Sequence, residues 1–340
     1  AFVPTVTSVL EKEGKERAME FSQSIYTYFA VFLGLITIGF ELFTPQVIDT
    51  VFPALVRTPE RFEYTITFAR ITFPYMFLIA IIAFQSGILN SIGKFAAPAS
   101  LPVFMNICII IGLIVFGKYN PTHGHAAAWG VLASGFIQYA IVSIAAIREG
   151  VYIYPRSIHI NKHVKRFFTL LLPIMAGSGL AQIIEFVGEV IATYLPVGSV
   201  SYLFYANRIS QLPMALTAIS ITTVILPALS KARSSEDKSR LHFLQNRSIE
   251  LTLLLCIPAA VALSVLADPI IYALFKRNAF TAENAIQTAN ALQVIAFSMP
   301  GFAMAHIFSS MFYSNLDTKT PVIVSVIFLS TNVILSLLLI

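Results

Sequence analysis

The run Pro98-Ala99-Ser100-Leu101-Pro102-Val103-Phe104-Met105-Asn106-Ile107-Cys108-Ile109-Ile110-Ile111-Gly112-Leu113-Ile114-Val115-Phe116-Gly117 spans 20 residues without a charged side chain. At 1.5 Å per residue, such a helix crosses a hydrocarbon core of roughly 30 Å. A strand of a membrane barrel is about half that length and alternates apolar with polar positions, which this run does not. Working outward, similar runs predict helices at about 25–50, 71–91, 98–117, 125–147, 167–195, 200–228, 249–275, 288–314 and 321–340. The expected fold is therefore all-α: a polytopic helical membrane protein with about nine transmembrane helices. Composition agrees, with 57% hydrophobic and 11% charged residues over 340, far from the balance of a soluble domain. The chain opens on Ala1 and stops at Ile340 inside an apolar run, and so reads as an internal fragment.

Orientation follows from the basic residues. Fifteen of the 22 Lys and Arg fall on one side of the predicted spans, in loops near 12–17, 94, 148–166, 231–247 and 319. Six fall on the other: Arg57, Arg61, Arg70, Lys118, Lys276 and Arg277. The positive-inside bias makes the first side cytoplasmic. The net charge of +5 then reflects loops beside anionic lipid, not a nucleic-acid surface.

The chain also repeats itself. Phe2-Val3-Pro4 pairs with Ile225-Leu226-Pro227, Pro45 with Pro269, Pro74 with Pro300, Asn90 with Asn315 and Lys94 with Lys319, at offsets of 223 to 226 residues. An even number of spans separates each helix from its mate, so the halves share one orientation. Parallel repeats of this kind are a transporter architecture. The expected division is residues 1–150 for one lobe, a linker at 151–166, and 167–340 for the other.

Polar residues inside the spans are the candidate functional groups. Arg208, in Tyr205-Ala206-Asn207-Arg208, would cost about 2.5–3.5 kcal/mol at mid-bilayer unless it faced a wet cavity. Its fork of donors suits a phosphate, and the competing reading is an arginine that snorkels to the interface. Ser178, Gln182, Glu185 and Glu189 recur at spacings of four, three and four, one face of a helix. These carboxylates suit cation or proton coupling, or a structural polar contact between helices. Pro173 and Pro213 are the candidate hinges. His123-Gly124-His125 has no Cys, Asp or Glu nearby, and no metal site is expected. Cys108 and Cys256 read as small buried hydrophobes. No P-loop or GxSxG is present.

Ala1-Phe2-Val3-Pro4, Tyr205-Ala206-Asn207-Arg208, Leu226-Pro227-Ala228-Leu229-Ser230-Lys231 and Asp317-Thr318-Lys319-Thr320-Pro321 resemble motifs of the MurJ/MviN lipid II flippase family. That family lies within the multidrug/oligosaccharidyl-lipid/polysaccharide exporter superfamily. The resemblance runs end to end and implies a fourteen-helix transporter of the bacterial inner membrane, of which this chain would hold the third through eleventh helices. It implies no enzyme activity and no cofactor beyond Na+ or H+ as a coupling ion. The implied partners are lipid II, an undecaprenyl-pyrophosphate-linked disaccharide-pentapeptide, and the phospholipid bilayer; the oligomeric state is left open. It implies alternating access, with Arg208 in a central cavity; Asn207 stands where the family often has an acidic residue. A drug/cation antiporter of the same superfamily and a membrane-embedded glycosyl or phosphoryl transferase are the alternatives. The first should carry an acidic or aromatic cavity, the second clustered acids at a loop.

Overall fold

The computed structural model describes residues 2–152, 154, 162–221, 225, 228, 229, 231, 237–314, 317 and 319–339. These divide into two compact units, Ala1–Ala176 and Gly177–Ile340. Ten α-helices are present among the described residues: α1 (Phe2–Val51), α2 (Pro59–Ser91), α3 (Ala96–Ile111), α4 (His123–Arg148), α5 (Lys162–Ala192), α6 (Ser199–Met214), α7 (Lys238–Val265), α8 (Ala267–Phe275), α9 (Ala282–Ser314) and α10 (Lys319–Leu339). Among the described residues, seven helical stretches are long and apolar enough to cross a membrane: Glu16–Val51, Pro59–Ser91, Ala96–Phe116, His123–Arg148, Ser239–Val265, Ala282–Ser314 and Lys319–Leu338. The other two expected spans, 167–195 and 200–228, are helical as α5 and α6, the second extending into residues outside the described set. Large apolar side chains cover the surface, with Phe297 85% and Leu338 77% exposed, as a lipid-facing exterior requires.

Three boundaries differ from the sequence expectation. The span expected at 71–91 begins at Pro59, because the charged segment holding Glu60, Arg61 and Glu63 continues the helix instead of preceding it. Arg70 therefore lies about three turns inside α2, not in a loop. The span expected at 249–275 is broken at Leu266 (φ −96°, ψ 12°). Pro269 has no N–H to give the carbonyl four residues earlier, so α7 ends at Val265 and α8 begins afresh. The span expected at 200–228 leaves α geometry at Met214 for a π turn, Ala215–Ile219.

In the first unit, Ile82, Ile88 and Leu89 of α2 pack with Val142 and Ala146 of α4. Two buried amides beside them are paired: Gln138 donates to the Leu101 carbonyl (2.9 Å) and Gln85 Oε1 accepts from Ser143 (3.1 Å). Phe21 of α1 meets Phe167 of α5 edge to face at 6.2 Å. Glycines bring α3 and α4 together: a Cβ on Gly130 would sit 3.0 Å from the Cys108 carbonyl oxygen, and one on Gly112 would sit 2.8 Å from that of Ala126.

In the second unit α9 is central. Ala285, Ala289 and Leu292 receive Ala206 and Ile209 of α6 and Ala267 and Ile271 of α8, while Ala296, Met299 and Ala303 receive Cys256 and Ala260 of α7. Small residues dominate both seams and let backbones approach closely. Tyr202 of α6 donates to Asn284 Oδ1 of α9 at 2.9 Å.

The repeat is visible in the elements. Helices α2 and α9 are both 33 residues long and each contains a proline, Pro74 or Pro300. Phe43 of α1 (φ −110°, ψ 17°) interrupts its helix as Leu266 does, each just ahead of the paired Pro45 or Pro269.

Candidate functional site

Helix α6 has two unlike faces. Ala206 and Ile209 are buried in the core of the second unit, and Tyr205 packs against Phe275 and Phe280 at ring distances of 4.9 and 5.5 Å. At 100° per residue, Phe204, Arg208 and Gln211 fall on the opposite face, and all three are exposed, as is Asn207. The Arg208 guanidinium lies over the Phe204 ring, 5.4 Å from its centroid, and its Nη1 donates weakly to Gln211 Oε1 at 3.4 Å. An aromatic one turn before and an amide one turn after thus hold the guanidinium alongside its own helix. Among the described residues Arg208 takes part in no ion pair, so most of its donors are available to an anion. Asn207 adds an amide beside it, while its own carbonyl accepts from Ser210 at 2.9 Å.

Pro213 lies inside α6, immediately before the π turn. There the Thr217 hydroxyl donates to the Pro213 carbonyl and that of Ser220 to the Ala215 carbonyl, both at 2.8 Å. These bonds serve carbonyls whose α-helical partners are displaced, the usual way a span tolerates such a break.

On α5, Gln182, Glu185 and Glu189 are exposed and share one face of the helix. The helix ends at Ala192, so Glu185 stands about two turns, and Glu189 less than one turn, from that end. The side chains of Ser178 and Pro173 lie outside the described residues. His125 is held structurally: Nδ1 is 2.8 Å from the Thr122 hydroxyl, and the ring meets Tyr64 and Phe68 edge to face at 6.1 and 5.0 Å.

A carboxylate that the sequence reading passed over stands in α1. Glu41 lies within the Glu16–Val51 span, and its Oε1 is buried with no hydrogen-bond partner among the described residues. Its signal was available: it is the lone acid in the apolar run 25–48.

Known proteins match this chain along nearly its whole length. The family model described as lipid II flippase MurJ matches residues 1–340. The chain is similar to a probable lipid II flippase MurJ of Rhizobium meliloti (strain 1021), at 36% identity over 99% of this chain and 64% of that relative. It is likewise similar to one of Rickettsia prowazekii (strain Madrid E), at 32% identity over 96% and 64%. The chain thus spans just under two thirds of the length of these relatives. Among solved structures, a lipid II flippase MurJ in an inward closed conformation superposes with a TM-score of 0.85 at 26% identity, covering 98% of this chain and 69% of that one. A multidrug resistance MATE family transporter of the MOP superfamily, in an inward-facing conformation, superposes at 0.78 with 15% identity over 95% and 73%, a likeness of fold alone.

Proposed function

Since the chain belongs to the lipid II flippase MurJ family, we propose that its protein moves lipid II from the cytoplasmic to the outer leaflet of the bacterial inner membrane, and that Arg208 binds the substrate's pyrophosphate. The observation that carries this reading is the exposed guanidinium on the face of α6 turned away from its unit's core, with Phe204 and Gln211 of the same helix against it among the described residues. A guanidinium fork grips phosphate oxygens two at a time, and a neighbouring amide such as Asn207 adds a neutral donor. The lipid tail stays in the bilayer while the head group crosses, so no covalent bond is made or broken. Binding must weaken once the head group faces the outer side, and alternating access of the two lobes provides that change. Glu185 and Glu189, with Gln182 and Ser178, are the proposed groups for a coupling Na+ or H+, and Pro173 and Pro213 the proposed hinges.

Replacing Arg208 tests the reading. A charge-assisted hydrogen bond contributes about 1.5–3 kcal/mol, so Arg208→Ala should weaken lipid II binding roughly tenfold to a hundredfold while the protein still inserts and accumulates. Arg208→Lys should fall between, since an ammonium attracts phosphate but cannot grip it bidentately. Titration of purified variants with lipid II, beside growth of a strain depleted of its own flippase, gives both readouts. An alanine variant that binds and supports growth as well as the parent overturns the assignment.

A further inference from the structure

Buried polar atoms in folded proteins are almost always paired, which makes the orphaned Oε1 of Glu41 informative. Three features surround it. Helix α1 breaks at Phe43, and Pro45, four residues after Glu41, has no N–H to give the Glu41 carbonyl. The Thr44 hydroxyl donates instead to the carbonyls of Phe40 (2.6 Å) and Glu41 (3.3 Å). At the same level Phe40 stacks on Phe73 of α2, rings 3.6 Å apart and 9° from parallel. One turn before Phe73 stands Arg70, exposed on α2.

The elements packed against this end of α1 carry Arg57 on the turn Pro53–Arg57 and Glu60, Arg61, Glu63 and Arg70 on α2. Of these, Arg70 stands one turn before Phe73, whose ring stacks on that of Phe40, the residue before Glu41. Yet Arg70 and Glu41 are not in contact as an ion pair: the pairs among the described residues are Arg17–Glu20, Lys94–Glu149 and Arg247–Glu250. A carboxylate with a buried, undonated oxygen is strongly disfavoured within a membrane unless it is protonated or paired.

We propose that Glu41 is an intramembrane proton-binding site, neutral in the arrangement seen here and ionised when Arg70 closes on it. The exchange balances simply. The Glu41 carboxyl loses its proton to water, and the carboxylate left behind pairs with the guanidinium already present. Because the two partners sit on different helices joined at the Phe40–Phe73 stack, proton occupancy is linked to the separation of α1 and α2 at their outer ends. This site goes beyond the lipid reading and does not depend on it, since its readout is the carboxyl itself.

Infrared spectroscopy of the protein in liposomes, titrated with pH, tests the proposal. The carbonyl stretch of a protonated carboxylic acid should be present at neutral pH, absent in Glu41→Gln, and retained at a shifted frequency in Glu41→Asp, which keeps the carboxyl if the amide variant fails to fold. Arg70→Gln removes the charge that favours ionisation, so the band should persist to higher pH, its midpoint moved by roughly tenfold or more in proton concentration. Spectra of the parent and both Glu41 variants that superimpose at every pH overturn the proposal. So does an Arg70→Gln titration identical to the parent's. A band lost on adding sodium or potassium at constant pH assigns the site to a metal cation instead, and equally overturns it.

Discussion

At the scale of single residues, what the sequence reveals depends on whether a group's chemistry or its surroundings carries the role. Arg208 is legible because any arginine inside an apolar run demands an explanation, and the structure places it exposed beside Phe204 and Gln211. The stripe through Gln182, Glu185 and Glu189 is legible from its period. Glu41 is not, because a lone acid averages away within an apolar run, and only packing shows that Oε1 has no donor. Asp317 is an instructive opposite, a carboxylate whose partners are all local. Its Oδ2 accepts from the Thr320 hydroxyl at 2.6 Å, and Oδ1 accepts from the Thr320 and Lys319 amides at 3.0 Å each. The Thr320 hydroxyl first, then the two amides, hold this carboxyl below the ordinary range. A depressed acid contributes to the folded state above its unfolded value, and the contribution is lost as pH falls through the folded value. The first turn of α10 should therefore stay closed at neutral pH and fray in acid, below the ordinary carboxylate range. Hydrogen exchange at the Lys319 and Thr320 amides, expressed as protection factors, measures this. Asp317→Asn should lower protection at neutral pH and abolish its dependence on acid, whereas an unchanged acid dependence would show that another group holds the turn.

At the scale of elements, apolar runs locate helices well and their ends poorly, because hydropathy marks where lipid begins and not where hydrogen bonding stops. The first turns of α2 carry Glu60, Arg61 and Glu63 and are helical all the same. The break between α7 and α8 falls at Leu266, with Pro269 acting three residues downstream through its missing N–H. Helix contacts are hidden further still, since a glycine in an apolar run can mark a seam or nothing. Gly301 meets no neighbour within 4 Å of a built Cβ, whereas Gly130 would place one 3.0 Å from both the Cys108 carbonyl oxygen and the Ile109 Cα. Both of those atoms are backbone, so they can yield only if the helices separate. Gly130→Ala should destabilise the first unit by about 1–3 kcal/mol, the usual cost of overpacking, and Gly130→Leu should cost more. Gly301→Ala should cost nothing, because alanine favours a helix over glycine by about 1 kcal/mol. Thermal unfolding of the purified variants in detergent ranks them, and a Gly130→Leu protein as stable as Gly301→Ala would show that the α3–α4 seam is loose.

At the scale of the whole molecule, the repeat is the most legible feature and carries the strongest test. Its landmarks reappear as structure: 33-residue helices with an internal proline in α2 and α9, and matching backbone breaks at Phe43 and Leu266. A parallel repeat requires paired positions to face the same side of the membrane, whereas an inverted repeat would place them on opposite sides. Lys94 and Lys319 are such a pair. The Lys/Arg count puts both in the cytoplasm. Single cysteines at these positions can be read against Lys118 and Arg277, expected outside; all four native side chains are exposed. The background is quiet once Cys108→Ser and Cys256→Ala are made, Cys256 being fully buried. Loss of the Lys94–Glu149 pair, 2.9 Å long and more than half exposed on the lysine side, should cost under about 1 kcal/mol, so the Lys94→Cys protein should fold. An impermeant maleimide should label positions 118 and 277 in intact cells, and positions 94 and 319 only after permeabilisation. Labelling of 94 and 319 from outside, with 118 and 277 protected, would invert the orientation but keep the parallel repeat. Labelling of one member of the 94/319 pair without the other would break the parallel repeat itself, and with it the architecture from which alternating access follows.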